Sequence, residues 1–123
     1  MKDVSGEFLF NGQTYRIIFN LNVMEEIQEK YGSVAKWGEL TDGSKGEVNA
    51  KAIIFGYTAM LNEAIDIENE EKGTNKKHFT LKQVGRLITN MGLGQMTEEL
   101  NNTVVKSTKS NEKNGSSTKM KTQ

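Results

Sequence analysis

Asn11–Gly32, NGQTYRIIFNLNVMEEIQEKYG, runs a turn, a strand and a capped helix in succession. Asn11-Gly12 is the strongest short-range hairpin signal, because a two-residue type I′ turn needs positive φ at both central positions. With that pair as the loop, Phe10 faces Gln13, Leu9 faces Thr14, Phe8 faces Tyr15 and Glu7 faces Arg16. Alternation then sends Phe8, Phe10, Tyr15, Ile17 and Phe19 to one face, which must be covered. Leu9, Thr14, Ile18 and the Glu7–Arg16 pair take the other. A lone two-stranded hairpin is marginal, so it needs helices beneath it, and its edges and outer face stay open to a partner.

The strand passes into a helix at Phe19-Asn20-Leu21-Asn22. Asn20 as N-cap gives a Phe19/Met24 staple, and Asn22 as N-cap gives a capping box with Glu25. Val23, Met24, Ile27 and Tyr31 share one arc of the helix, its glutamates form a solvated face, and Gly32 ends it. Ser33 caps a short turn from Val34 to Leu40 that carries Trp37, the only tryptophan, toward the core. After a loop at 41–46, Val48–Glu70 is the longest helical pattern. Ala50, Ile53, Ile54, Tyr57, Met60, Leu61, Ala64, Ile65 and Ile67 make a face too broad for a single neighbour, which marks a central helix. Phe55 points the other way with Ala52 and Ala59, in a narrow second stripe that serves either the hairpin or Trp37 region or a subunit or client.

Asp66, Glu68, Glu70, Glu71, Lys72, Lys76, Lys77 and His78 make a charged connector around Gly73. Its spacing matches neither an EF-hand loop nor a zinc-protease helix, and His78 is the only histidine. Thr80 and Gln83 form a capping box, with Phe79 and Val84 as staple. Leu81, Val84, Leu87, Ile88 and Met91 are the expected apolar face of that helix, which Gly92 ends. Met96, Leu100 and Val104 point to a weaker final helix to about Lys106. Ser107–Gln123 is almost all Ser, Thr, Lys, Asn and Gly, with Met120 its one large apolar side chain, and reads as disordered. The expected fold is therefore α+β, mainly α: one domain over 1–106, an N-terminal β-hairpin on about four helices, then a polar tail over 107–123.

Composition narrows the function. The 123 residues include no cysteine, which excludes disulfides, thiolate metal sites and cysteine nucleophiles. No apolar run approaches the length of a membrane span, and the polar start MKDVSGE does not read as a signal peptide. The net charge is zero but unevenly placed: residues 1–105 carry 11 Lys+Arg against 15 Asp+Glu, and 106–123 carry five Lys against one Glu. An acidic domain with no basic recognition helix argues against a nucleic-acid regulator. No catalytic constellation, metal spacing or phosphate loop is present, so the residues read as a small interaction module without a cofactor. Its candidate protein contacts are Leu9, Ile18 and Phe55, the side chains left off the main apolar faces.

The stretch NGQTYRIIFNLNVMEEIQEKYGS, followed by VAKWGEL, a loop, a long helix and a helix starting at FTLKQV, resembles the tail assembly chaperones of long-tailed bacteriophages and of prophages in Gram-positive bacteria. The likeness covers residues 5–105 and rests on the order of elements and on the NG-x-x-Y and F-N-L-N-x-M-E-E patterns, none of them catalytic. It implies a small non-enzymatic protein, absent from the finished particle, that keeps tail-tube subunits soluble in the host bacterial cytoplasm and brings them to the tape-measure protein; composition points to neither nucleic acid nor membrane as a partner and leaves homo-oligomers open. It also implies a longer, frameshifted form in some members, whose short form would end about where Ser107–Gln123 lies. The rival expectation is a minor virion component of the tail or head-tail junction.

Because 107–123 supplies almost no apolar surface, deleting it is expected to leave the thermal unfolding midpoint unchanged. A clear fall in a melting experiment would show that the tail docks.

Overall fold

The computed structural model describes residues 4–92. Their order is β1 (Val4–Phe10), β2 (Gln13–Phe19), α1 (Leu21–Tyr31), α2 (Val34–Thr41), α3 (Ala50–Lys72) and α4 (Leu81–Met91). This is the α+β, mainly helical architecture expected from the sequence. The helix expected from Met96 to about Lys106 and the tail over 107–123 lie outside the described residues.

β1 and β2 pair antiparallel in the register set by the turn, from Phe10↔Gln13 back to Val4↔Phe19. Asn11 and Gly12 take φ of 53° and 75°, the left-handed values that a type I′ turn requires. On the inner face Phe8 stacks on Tyr15, with ring centroids 5.3 Å apart, and meets Tyr57 of α3 edge-on at 6.0 Å. Each strand keeps one edge without a strand partner among the described residues.

Asn20 is the N-cap of α1: its side chain accepts a hydrogen bond from Val23 N at 3.2 Å. Ser33 caps α2 through Lys36 N. Asn49, which the sequence pattern leaves unmarked, caps α3 through Ala52 N at 2.9 Å. Thr80 and Gln83 form the reciprocal capping box at the start of α4. No described helix is long and apolar enough to cross a membrane.

α3 is the central element, in contact with β2, α1, α2 and α4. Its broad face buries Ile53, Tyr57, Met60, Leu61 and Ala64. Part of the opposite side is buried too: α2 lays Trp37 across Ala52 and Gly56, while Phe55 stays half-buried. The indole Nε1 donates to the Ala52 carbonyl oxygen at 2.9 Å, and the ring sits over Gly56. Only a residue without a Cβ fits there: a methyl on Gly56 would run into Trp37 Cζ2 and lie 2.8 Å from Cε2. Ala52 and Ala59 of the second stripe are therefore covered within the domain, with Trp37 fixed on the Ala52–Gly56 segment.

Several positions differ from the sequence reading: Thr41, expected in the loop, ends α2 and is buried, Ala50, expected on the broad face of α3, is exposed at its first position, and Ile18 and Leu81 are reversed. Ile18, expected on the open face of the hairpin, is only 1% exposed. Ile17, Ile18 and Phe19 are consecutive buried residues at the end of β2; Ile17 and Phe19 join the core cluster with α1 and α3, whereas Ile18 is buried outside that cluster. A strand enclosed on both sides no longer alternates. Leu81, expected on the core face of α4, is 53% exposed. It is the first residue of its helix, and helical side chains lean back over the preceding turn, which here does not exist.

In an open helix Gly→Ala stabilises by roughly 0.5–1 kcal/mol. Gly56→Ala is expected to do the reverse, destabilising by about 1–3 kcal/mol through overpacking against a ring that cannot retreat. Urea denaturation followed by the fluorescence of Trp37 measures it; unchanged or increased stability would mean that the ring is not held in the notch.

Candidate functional site

The three contact residues read from the sequence separate in the structure. Leu9 is 67% exposed on the outer face of β1. Ile18 is buried and cannot offer a contact surface. Phe55 is half-buried: Tyr31 of α1 meets it edge-on at 5.7 Å, and Lys30 Nζ lies 5.5 Å from its ring centroid, within cation–π range. Leu9 lines neither of the two depressions that flank Phe55.

The larger depression is an open groove of about 640 Å³ along α3 and α4. Ile54, Phe55, Leu81 and Gly85 give it an apolar lining, and Lys30, Lys51 and Lys82 stand at it from α1, α3 and α4. Gly85 keeps α4 close to α3; a Cβ placed on it would lie 3.4 Å from Ile54 Cδ1. Among the described residues no carboxylate lines the groove. Among the described residues the ion pairs are Lys72–Glu68, Lys76–Glu68 and His78–Asp66, so the three groove lysines have no acidic partner there.

The second depression, about 200 Å³, shares Phe55 and Leu81 with the first but has the opposite character. Glu26 of α1, Glu63 and Asp66 of α3, and His78 of the connector surround it. His78 Nε2 lies 2.7 Å from Asp66 Oδ1. Burial, and then the neighbouring carboxylates Glu63, Glu25 and Asp66, push the Glu26 carboxyl above its ordinary value, with His78 pulling the other way. Among the described residues no three His, Asp or Glu side chains converge well enough to hold a metal ion.

Two asparagines and a glutamate on α3, none marked by the sequence patterns, hold these surfaces in place. Asn62 Nδ2 donates to the Phe79 carbonyl and Asn62 Oδ1 accepts from Phe79 N, at 3.0 and 2.8 Å, fixing the approach to α4. Asn69 does the same for Lys76 and also accepts from Thr74. Glu63 accepts from Asn20 and Asn22, tying the start of α1 to α3. Their only sequence signal is amide and acid side chains placed among the apolar residues of a long helix. The groove has a clearer one. Lys51 and Lys82 occupy the first turns of α3 and α4, neither of which carries an acid.

Glu26 yields a pH prediction. A carboxyl whose folded pKa is raised contributes its full stability below the unfolded pKa and loses it as pH rises through the folded value. Glu26→Gln is therefore expected to gain on the native chain between pH 4 and pH 7, by at most about 1 kcal/mol because the side chain is only partly buried and is screened by solvent. Urea unfolding at both pH values reads this; a difference that stays constant or changes in the other direction would contradict the assignment.

Comparison of the chain with models of known protein families, with curated proteins and with solved structures gives no match.

Proposed function

We propose that the chain is a phage tail assembly chaperone, which binds tail-tube subunits in the host bacterial cytoplasm and delivers them to the tape-measure protein without catalysing a reaction. The observation that carries the reading is the resemblance over residues 5–105, centred on NGQTYRIIFNLNVMEEIQEKYGS and its succession into VAKWGEL and FTLKQV. The described elements are compatible with it in their order of hairpin, two shorter helices, long helix and capped helix. A chaperone of this kind needs a stable scaffold presenting apolar surface that a client can cover and later leave. Exposed Leu9, Leu21 and Leu81 and the groove beside Phe55 supply such surface, and the edges of the hairpin, which have no strand partner among the described residues, supply backbone groups.

Co-expression with the tail-tube protein encoded beside it tests the reading. The expected result is a soluble complex of the two that co-elutes in gel filtration, with the tail-tube protein insoluble or self-assembled when made alone. A tail-tube protein equally soluble without the chain, and no co-elution, would overturn the proposal.

A further inference from the structure

The groove between α3 and α4 combines two properties that oppose each other in an isolated domain. Its lining is apolar and open to water, with Leu81 53% exposed. At it stand three lysines, without an acidic partner among the described residues, on a domain whose residues 1–105 are acidic overall. Lys51 and Lys82 each occupy the second position of a helix, at the end where unpaired backbone N–H groups already carry partial positive charge. Neither helix has an acid in its first turn to offset this. Lys30 adds a third positive charge from the last turn of α1, held over the Phe55 ring. The potential is therefore positive on the lysine side of the apolar floor, while the depression beyond Phe55 and Leu81 is acidic, and the natural complement is an apolar ridge with carboxylates along the lysine side.

We propose that this groove docks an acidic amphipathic helix of a partner protein, with its apolar side chains on Ile54, Phe55 and Leu81 and its carboxylates on Lys30, Lys51 and Lys82. A helix fits better than a lipid or fatty acid. α4 runs back along α3, with Phe79 bonded to Asn62 and Gly85 against Ile54, so Lys51 and Lys82 stand at different levels of α3 and meet carboxylates spaced along a segment, whereas a single headgroup would need its cations gathered at one end. A volume of about 640 Å³ takes several side chains of a helix laid in a groove. The inference does not rest on the tail-assembly reading, since it concerns the chemistry of the occupant and not its identity.

The probe is a labelled synthetic helix of about 15 residues with leucines at i, i+3, i+4 and i+7 and glutamates at the flanking positions, titrated with the full chain in fluorescence anisotropy. Saturable binding that weakens with added salt is expected. Leu81→Asp should weaken it by about tenfold or more, since a charge then enters the apolar contact. The double variant Lys51→Glu/Lys82→Glu should weaken it at least as much while its melting temperature holds or rises, because first-turn acids suit a helix N-terminus. That opposition separates a docking role from a structural one. No saturable binding, binding untouched by both variants, or equal affinity for a peptide with lysine in place of glutamate would overturn the proposal. So would a concentration-dependent dimer in sedimentation velocity that Leu81→Asp dissolves, because the occupant would then be a second copy of this chain.

Discussion

The contact between Trp37 and Gly56 is the constraint on which the arrangement of the helices depends. The ring is 1% exposed, its one polar atom is bonded to the Ala52 carbonyl, and the glycine beneath it leaves no slack. The bond removes the cost of burying an indole N–H, and the missing Cβ lets α2 lie close on a face of α3 that would otherwise be solvated. α3 is then enclosed by β2 and α4 as well as by α1 and α2. A helix with an apolar stripe on each side can be stable only as the centre of such a group.

Polar side chains of α3 set where its neighbours stop and start. Glu63 holds the first turn of α1 through Asn20 and Asn22, Asn62 holds Phe79 just before α4, and Asn69 holds the connector at Lys76. Glu68 takes the Lys76 ammonium at 2.9 Å, and that hydrogen bond keeps its carboxyl below the usual carboxylate range. Much of this surface is exposed, so these contacts contribute chiefly to geometry. Their combined effect is that α4 runs close along α3 with its first turn free, which leaves Leu81 and Lys82 at the groove.

What could be read from the sequence was local. The Asn11-Gly12 turn, the Ser33 cap and the Thr80/Gln83 box need only residues within three or four positions, and each appears where its pattern places it. The choice between Asn20 and Asn22 was undecided because both satisfy local motifs. Asn20 is the cap, and Glu63, 43 residues away, bonds its side chain as well. Ile18 departs from its pattern for the same kind of reason: strand alternation describes a sheet with one open face, and the burial of both faces at the end of β2 is decided only by the tertiary fold. Gly56, interior to a strong helical pattern, is unmarked by the sequence reading, and its role shows only where Trp37 lies on it. Of the candidate contacts, Phe55 lies at the groove, Leu9 is exposed elsewhere, and Ile18 is core. The lysines that give the groove its character belong to three helices and come together only on folding.

A stable centre with functional surface at its periphery suits a protein that binds and releases, and the tail-assembly proposal gives that surface a client. It differs from the virion-component alternative in one observable, the fate of the chain after assembly. Quantitative mass spectrometry of purified mature particles, set against the infected or induced cell, measures this directly. The account predicts a chain abundant in the cell during assembly and absent from the particle. A fixed stoichiometric amount in mature particles would contradict it.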